Sequence, residues 1–144
     1  MSENELKLGS AVKLVELVVI QDVIKASTDL AAGQLVCNDG AGLVPAISTL
    51  SGTKTVFVNR EDRIYLDDEK TTLPPELKHK AAIYAQGVVV CQKDAGSAWV
   101  KGSKLKVGTT GKAALATAAT DVIIGSVALN AAAADVMGVI RLGQ

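Results

Sequence analysis

Few side chains in this sequence are able to do covalent chemistry, and those few are badly spaced for it. His79 is the single histidine, in the run ELKHK beside Pro74 and Pro75. A catalytic or metal-binding imidazole needs partners held close to it, and a two-His metal site is ruled out by number. Cys37 (QLVCN) and Cys91 (VVVCQ) lie in apolar runs and read as small buried hydrophobes. A disulfide between them lacks the support of a secretory context. The turn Gly108-Thr109-Thr110-Gly111-Lys112 invites comparison with a phosphate loop. That loop needs a glycine ahead of the Gly-Lys pair and a hydroxyl after the lysine, and Lys106 and Ala113 hold those positions. Asp67-Asp68-Glu69 offers oxygen ligands without the alternating spacing of a Ca²⁺ loop, so a solvated turn is expected. Arg60 and Arg63 flank Glu61-Asp62, which suggests a local surface ion pair of small net worth. No G-x-S-x-G elbow singles out a nucleophile, and the carboxylates lie in wet, turn-like segments where nothing raises a pKa. The expectation is a protein that is not an enzyme, with no catalytic residue, no cofactor and no metal.

Composition narrows the classes further. The 144 residues are most simply one domain, able to bury roughly 70% of the unfolded surface. Apolar residues make up 49% but aromatics only 3%, so the core is built from small and β-branched side chains. That suits a thin barrel or sandwich better than a deep ligand cavity. Net charge is zero, and residues 1–80 carry nine Lys/Arg against twelve Asp/Glu. So mild a split does not give the basic face of a nucleic-acid binder, and a neutral chain tolerates self-association. The opening MSENELKLGS lacks the pattern of a signal peptide. No apolar run is long enough to span a bilayer. A soluble protein made in the cytoplasm, without nucleic-acid or membrane partners, is expected.

The elements that would hold these residues read as short strands. Residues 1–10 are polar with isolated Leu6 and Leu8, and form a flexible or partner-docking arm. Residues 11–144 form the single β domain. Residues 11–26 are rich in β-branched residues and read mostly as strand. QLVC and LVPA bracket the turn NDGAG, with Pro45 limiting its strand to an edge or an end. TKTVFV reads as a strand, and residues 64–66 could start another. Residues 67–80 (DDEKTTLPPELKHK) are a charged, Pro-containing surface excursion. Residues 81–92 form the most apolar strand, where Gly87 suggests a bulge or a close backbone approach. From Trp99 onward LKV, AALAT, VIIGSVALN and VMGVIRL alternate with turns, as all-β chains do. VMGVIRL reads as the edge that completes the barrel or meets a neighbour. The fold class expected is all-β: a small barrel or sandwich of short antiparallel strands with an extended N-terminal arm.

Several of these pieces, in this order, resemble the decoration (cement) proteins of tailed-bacteriophage capsids. Asp29-Leu30-Ala31-Ala32-Gly33-Gln34-Leu35-Val36 and Gly42-Leu43-Val44 match a turn and return near the family's N-terminus. Val100-Lys101-Gly102-Ser103-Lys104-Leu105, Gly111-Lys112, the Ala/Thr-rich residues 113–120, Ile124-Gly125-Ser126-Val127-Ala128, the connector 131–135 and Val139-Ile140-Arg141-Leu142 match its C-terminal part. The resemblance covers somewhat under half of the chain, and residues 67–80 look longer than in a minimal member. It implies a trimeric β-barrel-like virion protein on the outer capsid surface, clamping neighbouring major capsid subunits. It brings no catalytic residues. Strand addition by an arm would suit such a clamp, and Ser2, Glu3, Asn4, Glu5, Leu6, Lys7 and Leu8 are the candidate capsid-binding residues. Two other classes compete. The turn also resembles that of antifreeze-like (SAF) ligand- or carbohydrate-binding modules, and a head-fibre or tail component of a virion is the third reading.

Overall fold

A computed structural model describes residues 17–51, 54–65 and 79–143. The arm 1–10 and its candidate residues lie outside these, as do 11–16 and most of the excursion, including Asp67-Asp68-Glu69. The chain is all-β, as composition and alternation suggest, and its antiparallel sheet curls into a half-barrel.

The strands are β1 (Val18–Val23), β2 (Leu35–Asn38), β3 (Leu43–Pro45), β4 (Phe57–Asn59), β5 (Lys80–Gln92), β6 (Lys104–Val107), β7 (Ala113–Leu115), β8 (Gly125–Val127) and β9 (Met137–Leu142). One helical turn, α1 (Ser48–Ser51), follows β3. The sheet order is β3-β2-β4-β5-β9-β8-β6-β7, with β1 added to β5. Pro45 ends an edge strand, where its missing N–H costs no ladder bond. The excursion's last residue, Lys80, already belongs to β5. Near residues 64–66 the described pairing is a bridge between Arg63 and Leu30.

β5 organises the fold. Its first half pairs with β1 and β4, and its second half, from Gly87 on, pairs with β9. Ala81 and Ile83 pack in a small cluster with Ile24, Leu30, Val36 and Leu43. Val89 and Cys91 pack in the larger cluster with Leu35, Trp99, Leu105 and Ile140. These clusters lie on opposite faces, since Val36 enters one and its neighbours Leu35 and Cys37 the other. A regular strand would put residues 81, 83, 89 and 91 on one face. The register supplies the exception: Val18 faces Gln86 and Val19 faces Tyr84, so Ala85 is an extra residue. One extra residue reverses the side-chain phase. Gly87 beside it has φ +123°, a conformation that a side chain would strain.

The two ends of the curled sheet meet at the GTTGK turn. Gly108 N donates to Lys112 O at 2.9 Å, which makes the segment a β6–β7 hairpin rather than a phosphate loop. Leu35 N donates to Gly111 O at 2.9 Å and Gly111 N donates to Ala46 O at 2.8 Å. Gly111 thus joins β2 and the residue after β3 to the far end of the sheet. A Cβ at Gly111 would come within 2.6 Å of Gln34 Cγ.

β9 is not an edge, contrary to the reading of VMGVIRL. It runs between β5 and β8, because Gly138, Ile140 and Leu142 are apolar or small and face the core while both backbone sides are paired. Trp99, 1% exposed, lies against Gly138. A Cβ there would fall 2.3 Å from Trp99 Cζ3. Lys93 is as deeply buried, with Nζ 5.5 Å from the centre of the Trp99 ring. Its ammonium donates to Asp94 O (3.0 Å), Ala133 O (3.3 Å) and Asp135 O (3.2 Å). A buried cation is tolerated when its donors and a ring face replace water. This arrangement pins the small-residue connector between β8 and β9.

The Trp99–Gly138 contact yields a direct test. Gly138→Ala overpacks the larger cluster and is expected to lower stability by about 1–3 kcal/mol, read as the shift in urea midpoint. An unchanged midpoint would show that the indole moves away freely.

Candidate functional site

The residues singled out for chemistry are dispersed. His79 is buried rather than part of a wet surface, 4% exposed with φ +44°. Its ring stacks on Tyr65 at 3.8 Å between centroids, and among the described residues neither ring nitrogen has a hydrogen-bond partner. The Arg60/Arg63–Glu61/Asp62 ion pair is not formed. Asp62 Oδ1 instead accepts from Ala32 N at 2.7 Å, a backbone donor already fixed nearby, and Arg63 Nε is buried without an acceptor among the described residues. Ion pairs are seen at Lys25–Asp39 (2.9 Å) and Lys106–Asp121 (3.4 Å). Asp39 is held below the ordinary carboxylate range, first by its hydrogen bond from Lys25. Asp121 is lowered too, first by backbone donors at Ala118 and Thr117. Both carboxylates organise turns. Among the described residues, no three of His, Cys, Asp and Glu gather where a metal ion would sit. None of their helices is long and apolar enough to cross a membrane.

The turn at residues 29–36 has a structural logic. Asp29 Oδ1 accepts from Tyr65 N at 2.8 Å, Leu30 enters the small cluster, and Gln34 Oε1 accepts from Ala31 N at 3.0 Å. Gly33, at φ +79°, lies under the Met137 methyl. Its N–H donates to Asn59 O and its carbonyl accepts from Gln92 N. The turn therefore stitches β2, β4 and β5 together.

Beside it lies the surface feature with most binding character. A groove of about 380 Å³ is lined by Leu17, Gly33, Asn59, Arg60, Tyr84, Val88, Val90 and Met137, among others. The phase reversal in β5 creates it, by turning Val88 and Val90 outward. Leu17, Val88, Val90 and Met137 are 52%, 41%, 53% and 41% exposed, so apolar side chains gather uncovered along one groove. Asn59 is 1% exposed. Its Nδ2 donates to Ala31 O (2.9 Å) and Glu61 O (2.7 Å), which fixes the amide's orientation and leaves Oδ1 without a donor among the described residues. An unpaired buried acceptor costs about 1–3 kcal/mol. Arg60 is exposed at the rim, and Arg141 stands across the ladder from Val88. Neither has a carboxylate partner among the described residues. The groove thus combines an apolar floor with positive charge at its rim. Sequence reading missed it because it depends on a one-residue phase change in β5; Gly87 was its only local signal.

The cysteines are buried and unpaired, as their apolar surroundings suggest. Burial pushes the Cys91 thiol up to about 12 from 9.0. Burial, followed by the charge of Asp39, raises Cys37. A proton held more tightly in the folded state contributes stability that is full below about pH 9. That contribution is lost as pH rises toward 12. The native protein should therefore resist aromatic disulfide reagents at about pH 8, with both thiols reacting on denaturation. Prompt labelling of the native chain would contradict the burial.

Comparison with known proteins adds little. No protein-family model matches the sequence, and no curated protein matches it. Among solved structures, the head fibre gp8.5 N base of bacteriophage phi29 is similar, at 13% identity and a TM-score of 0.48. The match covers 89% of this chain and 95% of that one. At that identity and score the likeness carries no functional argument.

Proposed function

We propose that this chain is a structural protein of a tailed-phage virion. In this reading it binds the outside of the capsid as a trimer and stabilises contacts between major capsid subunits. The observation that carries the reading is where the resembling residues fall. They occupy the joints of the fold: the Asp29–Val36 turn that ties three strands, Gly111 where the sheet ends meet, and the paired core strands β8 and β9. A clamp works by rigidity and extended contact, and these residues tie the strands of the half-barrel to one another. Open apolar surface on β1, β5 and β9 gives such a module faces to set against neighbours.

The carbohydrate-module reading is weakened by the aromatics. Trp99 is buried in the core and Tyr65 is stacked on His79, so neither is a free platform for a sugar ring. The chain should co-sediment with expanded, undecorated capsids at micromolar concentration and raise their resistance to heat. Failure to co-sediment would overturn decoration. An oligomer without capsid affinity would favour a head-fibre or tail component instead.

A further inference from the structure

The groove at the kink of β5 has the chemistry of a polypeptide-docking site, and one segment of this chain matches it. We propose that it receives residues 3–8 of a second copy, so that neighbouring copies exchange their N-terminal segments. This rests on the self-associating reading above and assigns those residues to a neighbouring copy in place of the shell.

Two observations select the occupant. The floor of Val88, Val90 and Met137 calls for aliphatic side chains. Leu6 and Leu8, two residues apart, point the same way in an extended segment. Arg60 and Arg141 have no carboxylate partner among the described residues, and Glu3 and Glu5 outweigh Lys7 to leave residues 3–8 net negative. No other stretch of the sequence sets two carboxylates immediately before two alternating leucines.

Position supports exchange. Sixteen residues precede Leu17, which itself forms part of the groove wall. The eight residues from 9 to 16 can span roughly 25–29 Å, enough to leave one copy at this wall and enter another packed beside it. Val19, Ile20 and Val23 of β1 are also exposed, and they continue the apolar surface that such a neighbour covers.

The test uses the full chain without capsids, read by sedimentation velocity. The parent chain should self-associate. Glu3→Arg/Glu5→Arg and Arg60→Glu/Arg141→Glu should each weaken association at least about tenfold, and mixing these two variants should restore it, because each then offers what the other lacks. Val90→Asp, at an outward position, should weaken association while leaving the far-ultraviolet circular dichroism of the dissociated chain unchanged. Several results would overturn the proposal. A monomeric parent is one, and charge-reversed chains that assemble like the parent are another. So is rescue seen only when both charge sets are reversed in one chain, which would put the segment in its own groove. Loss of capsid binding with self-association intact in the Glu3/Glu5 variant would assign the segment to the shell. Intact exchange without capsid affinity would instead remove the decoration reading alone.

Discussion

One strand has to serve two cores. β5 runs for 13 residues, and its halves bury side chains of the same parity on opposite faces of the sheet. Strict alternation forbids this for an unbroken strand, so the extra residue at Ala85 and the positive φ of Gly87 are requirements of the architecture. Because the phase reverses there, Ala81 and Ile83 reach the small cluster while Val89 and Cys91 reach the large one. β1 and β4 therefore attach to one half and β9 to the other, and the sheet bends at the change-over. The exposed Val88 and Val90 are the outward counterparts of the same shift. The feature with most binding character is thus a by-product of how the core is shared.

Other joints rely on missing side chains. Gly111 lets the hairpin turn slot between Leu35 and Ala46, and Gly138 lets the Trp99 ring lie flat on β9. Lys93 then uses that ring and three carbonyls to hold the connector. A core of small and β-branched residues with a single tryptophan cannot tolerate loose joints, since few large side chains are present to fill gaps. Polar groups drawn inward serve this packing. Asn59 holds the 31–34 turn through its amide and leaves only its carbonyl oxygen over.

Most strands were legible from alternation and turn residues. QLVC, LVP, residues 81–92, LKV, AAL and the final run all appear near their expected places, because apart from β2, β3 and β5 each alternates against a single core. Pro45 and the GTTGK turn were legible for the same local reason. The burial of the two cysteines followed from their neighbours. His79 was misjudged, since its charged sequence neighbours conceal a ring stacked on Tyr65. The Arg60–Asp62 region was also misjudged, because Asp62 finds a backbone donor thirty residues earlier in the chain.

By itself the sequence determined the all-β class and the small-residue core, because periodicity and residue type act locally. Tertiary structure decided which strands are edges, where the sheet closes and which apolar residues stay uncovered. Those outcomes depend on pairing between distant segments. β9 lies inside the sheet only because β5 and β8 both reach it, and Val88 faces outward only because one residue in β5 is surplus to its register.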